Sequence, residues 1–187
     1  MKKLMFVMTL AAAVLCASCG SKKTATPKGE TEVNVPCSEY MSDKTAVRAT
    51  ATADSPNKQQ AMDKALLAAR AEIATSLNVL IKRVSDRYSE SYESNNAVDY
   101  KGKFEDITRQ VVREKLQGSV PVCKKLTQNT DKQGNVMYHG YVAVEITAND
   151  LVQEINTKVS NDEQMRIDFD YEKFKKELEA EMAAFEK

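Results

Sequence analysis

Five side chains in this sequence could do chemistry that most residues cannot do. They are the four cysteines and the only histidine: Cys16, Cys19, Cys37, Cys123 and His139. A cysteine can be acylated, oxidised to a disulfide or bound to a metal, and a histidine can act as a general base or a metal ligand. Which of these reactions applies depends on the segments that carry the residues.

The first two cysteines end a short targeting segment. Two lysines follow Met1, residues 4–15 are apolar apart from Thr9, and small residues come next. This is the order of regions in a secretory signal. The apolar run is shorter than the roughly 20 residues that a spanning helix needs. The sequence therefore predicts a signal peptide over residues 1–18 and export of the rest.

Ala17-Ser18-Cys19 resembles the lipobox of bacterial lipoproteins, in which two small residues precede the modified cysteine. The resemblance implies a diacylglyceryl group on Cys19, cleavage before it, and acylation of the new amine. Cys16 is a weaker candidate because the bulky Leu15 precedes it. The alternative is an ordinary secretory peptide with two incidental cysteines. Two or more acyl chains make membrane anchoring stable, so the membrane is a predicted partner through the lipid alone.

The residues after Cys19 predict where the anchor resides. Gly20 stands where Gram-negative lipoproteins retained at the inner membrane carry Asp, so the resemblance implies the outer membrane. Lys22 and Lys23 follow, where a surface-export signal tends to be acidic, and this favours the periplasmic face. Polar residues 19–36 are predicted to form a flexible, lipidated tether. The folded domain is expected over 37–160, with a C-terminal helix over 161–187.

Two cysteines remain after processing, and an oxidising compartment permits a disulfide between them. Cys37 lies where the tether meets the domain, and Cys123 lies in a predicted strand. The prediction is a Cys37–Cys123 disulfide, which would attach the incoming tether to the sheet; two buried reduced thiols are the alternative. A zinc site needs four closely organised ligands, so no metal site is predicted.

The first part of the domain alternates with a period of two. Thr45 to Ala53 places Val47 and three alanines on one face and polar residues on the other, which predicts a strand. Ser55-Pro56 is typical of a helix start. Ala61, Ala65, Ala69 and Ile73 then recur every four residues, which predicts a helix whose alanines allow close approach to the strand.

Residues 77–93 fit two structures. Leu77, Val79 and Ile81 alternate as in a strand, whereas Ile73, Leu77, Leu80 and Val84 also form a helical stripe. The β-branched and tyrosine content favours a strand, so a strand is the prediction.

The rest of the chain is predicted as a helix, a hairpin and two helices. The predictions are a helix from Tyr100 to Gly118, strands around Val120–Leu126 and Val136–Ile146, a turn over 129–135, and a helix capped at Thr147.

The C-terminal segment repeats apolar residues at spacings of three and four. They are Ile167, Tyr171, Phe174, Leu178, Met182 and Phe185. Such a stripe needs an apolar partner. The domain's own sheet is the commonest partner, and another subunit or an envelope protein is the alternative, so a homo-oligomer through this helix is predicted as an option. The predicted fold class is α+β, a small and mostly antiparallel sheet packed by helices.

Several of these segments together resemble the Lpp-twenty-like lipoprotein domain over residues 45–160. The resemblance rests on residues 48–53, the alanine-ridged helix with Glu72-Ile73, residues 116–120, and the strand at 140–144. It implies an α+β sheet-and-helix domain in the cell envelope, and it supplies no catalytic residues.

Composition and motifs limit the function. The 27 basic and 27 acidic residues give a net charge of zero, and the longest runs of basic residues are pairs, so nucleic acid is not a predicted partner. No nucleotide-binding or serine-hydrolase motif is present, and no cofactor is predicted. His139 is interpreted as an exposed or edge-strand residue.

Three functions stay open. The preferred hypothesis is a non-enzymatic lipoprotein that acts through an unidentified envelope protein or as an assembly accessory. The second is a periplasmic module for small molecules or glycans, and the third is an unrecognised hydrolase that uses carboxylates. The absence of Trp weakens a sugar-stacking form of the second.

Overall fold

The computed structural model describes residues 31, 33–90, 97–163, 165–167 and 169–186. Asn34–Lys187 form one compact unit. Its elements are β1 (Ala46–Ser55), α1 (Lys58–Glu90), α2 (Ala97–Gly118), β2 (Pro121–Thr130), β3 (Val136–Thr147), α3 (Ala148–Ser160), α4 (Tyr171–Met182) and a 3₁₀ turn (Ala183–Glu186). The predicted α+β class is confirmed.

The described strands form one antiparallel sheet in the order β1-β3-β2. β2 and β3 are the predicted hairpin. Asp131 shapes its turn, because the Asp131 carboxylate accepts hydrogen bonds from the backbone of Gln133 and Asn135. Gly134 has a φ of 88°, which a residue with a side chain rarely adopts. In the strand order β1-β3-β2, β3 is the central strand, and β1 and β2 are the two edges.

α1 packs directly on one face of this sheet, which we call the helix face. Ala61, Ala65 and Ala69 are fully buried there, as their four-residue spacing predicts. On the sheet side they meet small residues of β1 and β3. At the closest point, a Cβ placed on Gly140 would lie 2.7 Å from the backbone oxygen of Ala61. The helix backbone thus rests on the strand backbone with no side chain between them.

The strand predicted for residues 77–93 is wrong: residues 77–90 continue α1, and residues 91–93 lie outside the described part of the chain. The helical stripe determines the structure here. Leu77, Leu80 and Val84 are buried in the main core, whereas Val79 is 47% exposed. Burial of one continuous stripe outweighs the modest β preference of the individual residues.

The start of α1 also differs from the prediction. Ser55 is the last residue of β1, and its hydroxyl accepts a hydrogen bond from the backbone N–H of Asn57. The Asn57 carboxamide oxygen accepts the backbone N–H groups of Gln59 and Gln60. Asn57 therefore caps the helix, and Ser55-Pro56 forms the turn before it. The predicted cap of α3 is confirmed, since Thr147 accepts from the backbone N–H of Asp150.

Two of the other helices build a second layer on α1, and α3 lies against these helices and against β3. α2 and α4 pack against α1, and α3 contacts α2. Tyr88, Phe104, Phe169 and Phe174 form an aromatic cluster where these helices meet, with the Tyr88 and Phe104 ring centres 5.4 Å apart. The Tyr88 hydroxyl accepts the backbone N–H of Asp170, which caps α4.

The apolar stripe of α4 is satisfied within the domain. Phe174, Leu178 and Met182 are fully buried in the main core. Their partners are helices, so the sheet predicted as the partner of this stripe is wrong in detail. The side chain of Phe185 lies outside the described residues. A homo-oligomer through α4 stays a prediction, and it would have to use other residues of the helix.

We expect Gly140→Ala to lower the free energy of unfolding by about 1–3 kcal/mol, because the added methyl overlaps the backbone of α1 and α1 must move. Gly102→Ala in α2 is the matched control, since nothing lies within 4 Å of a Cβ there. It should stabilise the helix by about 0.5–1 kcal/mol. Urea denaturation measures both; equal effects of the two substitutions would contradict the close contact.

Candidate functional site

Cys19, the predicted lipidation site, lies outside the described residues, as do the signal peptide over 1–18 and most of the tether over 19–36. Lipidation therefore stays a prediction. Within the part of the chain that is described, no helix combines the length and apolar character needed to cross a membrane.

The structure brings the two remaining cysteines together. The Cα atoms of Cys37 and Cys123 lie 5.9 Å apart, within the range of a disulfide, and their sulfur atoms are in bonding contact. Both residues are buried beside Ala143 in a small second core that Tyr40 and Tyr141 partly cover. This core lies on the face of the sheet opposite α1, which we call the outer face.

The turn that carries Cys37 is unusual for this residue type. The N–H of Ser38 donates to the carbonyl of Val35, with Pro36 and Cys37 between them. Cys37 has a φ of 67°, at the turn position that normally holds glycine. A left-handed conformation costs a residue with a Cβ about 1–2 kcal/mol. Burial and the contact with Cys123 offset this cost and aim the sulfur at β2.

From Cys37 the chain crosses the outer face to the edge of β1. At that edge the Ser42 hydroxyl both donates to the carbonyl of Arg48 and accepts its N–H. The Arg48 guanidinium binds the carboxylates of Asp43 and Glu145. We call residues 37–45 the N-terminal segment. The contact between Cys37 and Cys123 fixes this segment to β2, and the hydrogen bonds and ion pairs of Arg48 fix it to β1.

The carboxylate of Asp43 is held in its ionised form. Hydrogen bonds from Thr45 and from the Arg48 guanidinium lower the pKa of Asp43 well below its usual range. Its Oδ1 also accepts the backbone N–H groups of Thr45 and Ala46. This carboxylate therefore organises the chain reversal into β1.

The half of the outer face beyond the N-terminal segment holds a pair that sequence reasoning missed. His139 of β3 lies opposite Asp54 of β1, and its Nδ1 is 2.7 Å from the Asp54 carboxylate. On the other side, Thr127 of β2 is the register neighbour of His139. The order acid, imidazole, hydroxyl is that of a hydrolytic triad, but within the described residues no hydrogen bond joins His139 to Thr127. The pair is 85 residues apart in sequence, so no local motif signals it.

A cleft between α1 and α2 contains the buried hydroxyl of Ser85. It has a volume of about 540 Å³ and polar side chains from both helices. Two ion pairs lie in it, Lys101–Asp86 at 2.7 Å and Arg109–Glu105 at 2.9 Å. The buried hydroxyl of Ser85 has no hydrogen-bond partner among the described residues. A buried hydroxyl of this kind is available to a ligand or to water.

The two edges of the sheet differ in chemistry. β2 begins at Pro121, has a register shift before Cys123, and carries Lys124 and Lys125. Proline, bulges and lysines are the features that keep an edge strand from pairing with another chain. Beyond Arg48, β1 presents only Thr and Ala up to Asp54. As far as the described residues go, the outer edge of β1 is thus open to another strand.

No family model, curated protein or solved structure matches this chain. The resemblance to the Lpp-twenty-like domain therefore stays a prediction that rests on the residues quoted for it. Among the described residues, no group of three or more His, Cys, Asp or Glu side chains could hold a metal ion.

We expect replacement of both Cys37 and Cys123 by Ala to lower the free energy of unfolding by about 2–5 kcal/mol, because a cross-link between residues 86 positions apart restricts the unfolded chain. Chemical denaturation with and without reductant measures this. The reductant should destabilise the wild type and leave the variant unchanged. Two alkylatable thiols in the folded, unreduced protein would show that the cysteines are not bonded.

Proposed function

We propose that this chain is an envelope lipoprotein, anchored by acyl chains on Cys19, that works through protein contacts or as an assembly accessory and not by catalysis. The signal-like segment 1–18 and the small residues before Cys19 support the anchor. The Cys37–Cys123 geometry supports an oxidising compartment. Gly20 directly after Cys19 favours the outer membrane, and Lys22 and Lys23 favour its periplasmic face.

The observation that carries the proposal is the open half of the outer face together with the free edge of β1. The N-terminal segment covers the face around Ala143, whereas Thr52 and Asp54 of β1 are exposed. An exposed sheet face with an unpaired edge suits contact with another protein chain. The Asp54–His139 pair also lies on this face and adds polar groups for such a contact.

The anchor is tested by metabolic labelling with a fatty acid in the native envelope. We expect Cys19→Ser to abolish labelling, because the acyl chains are attached through this thiol and the amine that cleavage creates. Cys16→Ser, three residues earlier, is the matched control and should keep the label. Labelling that survives Cys19→Ser, or that is lost with Cys16→Ser, would assign the anchor differently and contradict the proposed site.

The α1–α2 cleft favours a second candidate function, a binding module for small polar anions. Lys82, Lys101 and Arg109 outnumber Asp86 and Glu105 there, and Lys82 forms no ion pair among the described residues. The Ser85 hydroxyl supplies a buried hydrogen-bonding group at the same place. Sugar acids and hydroxycarboxylates combine the negative charge and hydroxyl groups that such a lining would bind.

A thermal-shift series with sugar acids and hydroxycarboxylates tests the second candidate. A ligand at a concentration 100 times its dissociation constant should add about 2.7 kcal/mol to the free energy of unfolding. The rise in melting temperature should saturate with ligand concentration. Ser85→Ala should reduce the shift without lowering the stability of the free protein, because the hydroxyl has no protein partner. No saturable shift, or an equal shift in Ser85→Ala, would exclude this use of the cleft.

A further inference from the structure

We propose that a second copy of this chain pairs with β1 along its open edge, antiparallel and with the two-fold axis at Thr52. The two three-stranded sheets would then join into one continuous sheet. The inference deepens the proposed function and rests on it, because it names the partner that the open edge accepts.

The direction of the backbone groups along this edge follows from three hydrogen bonds. The N–H and C=O of Arg48 both bond to Ser42, which lies outside the sheet, and the carbonyl of Ala46 accepts from Asp43 on the same side. The carbonyl of Thr45 instead bonds to Ala148 at the end of β3. Backbone groups alternate in direction along a strand. Those of Thr50, Thr52 and Asp54 therefore point outward, as those of Arg48 do.

These outward groups have no partner in the described residues. No hydrogen bond reaches the outward N–H or C=O of Thr50 or Thr52 from any residue that the structure describes. The run of unpaired backbone groups ends on one side at Arg48, whose N–H already donates to the Ser42 hydroxyl. The run ends on the other side at Pro56, which has no backbone N–H and cannot donate to a neighbouring strand. A strand of about five residues fits between these limits.

The edge is complementary to itself in hydrogen bonding and in charge. With the axis at Thr52, Thr52 bonds to Thr52 of the second copy, and Thr50 bonds to Asp54 of the second copy in both directions. The hydroxyl of Thr50 then faces the carboxylate of Asp54. The two Asp54 carboxylates are four positions apart, about 13 Å along the strand, so their repulsion is largely screened.

Other registers and the other edge are less suitable. An axis at Ala51 would place Asp54 of the second copy against Arg48, whose backbone groups Ser42 already uses. Two β2 edges would place Lys124 and Lys125 of two chains close together, and like charges on paired strands are destabilising. The arrangement around Thr52 uses all three open residues and opposes no like charges.

Cysteine cross-linking of the full-length lipoprotein in its native envelope tests the pairing. In a hydrogen-bonded antiparallel pair, residues at the axis have Cα atoms about 5.5 Å apart, within reach of a disulfide. Thr52→Cys should therefore shift on a non-reducing gel to twice its monomer mass after mild oxidation. Thr50→Cys, in the same strand, should stay monomeric because its counterpart is about 13 Å away. Thr127→Cys, on the same face at the other edge, is the second control.

Each outcome decides the proposal. Cross-linking of Thr52→Cys alone supports it, provided that peptide mapping shows Cys37 still joined to Cys123. Equal cross-linking of all three variants, or none in Thr52→Cys, overturns the pairing. Cross-linking of Thr52→Cys to a different protein would show that the partner is not a second copy of this chain. The proposed function through protein contacts would then still stand. Failure of the anchor is separate, because it would appear in the Cys19→Ser labelling.

Discussion

The close approach of α1 to the sheet is the constraint on which the rest of the structure depends. Gly140 on β3 leaves no room for a Cβ beneath Ala61, and the next turns of the helix bury Ala65 and Ala69 on the same face. With small residues on both sides, dispersion contacts between backbones replace those between large side chains. This contact fixes which residues of β1 and β3 face inward, since a slip of one residue would expose the whole apolar set.

The rest of the structure follows because α1 covers one face of the three-stranded sheet. The large apolar residues of α2, α3 and α4 pack among the helices, where the Tyr88 and Phe104 cluster lies. Among the described helices, none packs on the outer face. It is covered in part by the N-terminal segment, which the Cys37–Cys123 pair and the Arg48 ion pairs fix. Contact with other chains is therefore left to the open half of this face and to the edge of β1.

Much of this fold could be predicted from the sequence, because most elements carry one clear period. The alternation at 45–53 and the alanine spacing of α1 each predict one structure, and so does the turn chemistry at Asp131 and Gly134. Residues 77–90 were predicted wrongly because two periods fit, and only the partner helices decide which stripe is buried. The start of α1 depended on whether Asn57 or Ser55 turns its side chain toward the helix, and both are good capping residues.

The candidate site was less predictable than the fold. Cysteine chemistry pointed to Cys37 and Cys123 because so few pairings were open. The Asp54–His139 pair and the Ser42–Arg48 hydrogen bonds arise from strand register and from the path of an irregular segment. Neither leaves a local pattern in the sequence. The same is true of Ser85, whose hydroxyl looks like any other helical serine until its surroundings are known.

The most direct test of the central contact is the nuclear Overhauser effect between the α-protons of Gly140 and the amide proton of Met62. A Cβ on Gly140 would lie 3.1 Å from the Met62 nitrogen, so the α-proton that points the same way must be close to that amide. The account predicts an observable cross-peak, and slow hydrogen exchange at the Met62 amide. No cross-peak between assigned signals of the folded protein would show that α1 does not rest on β3 at this point, and would contradict the account.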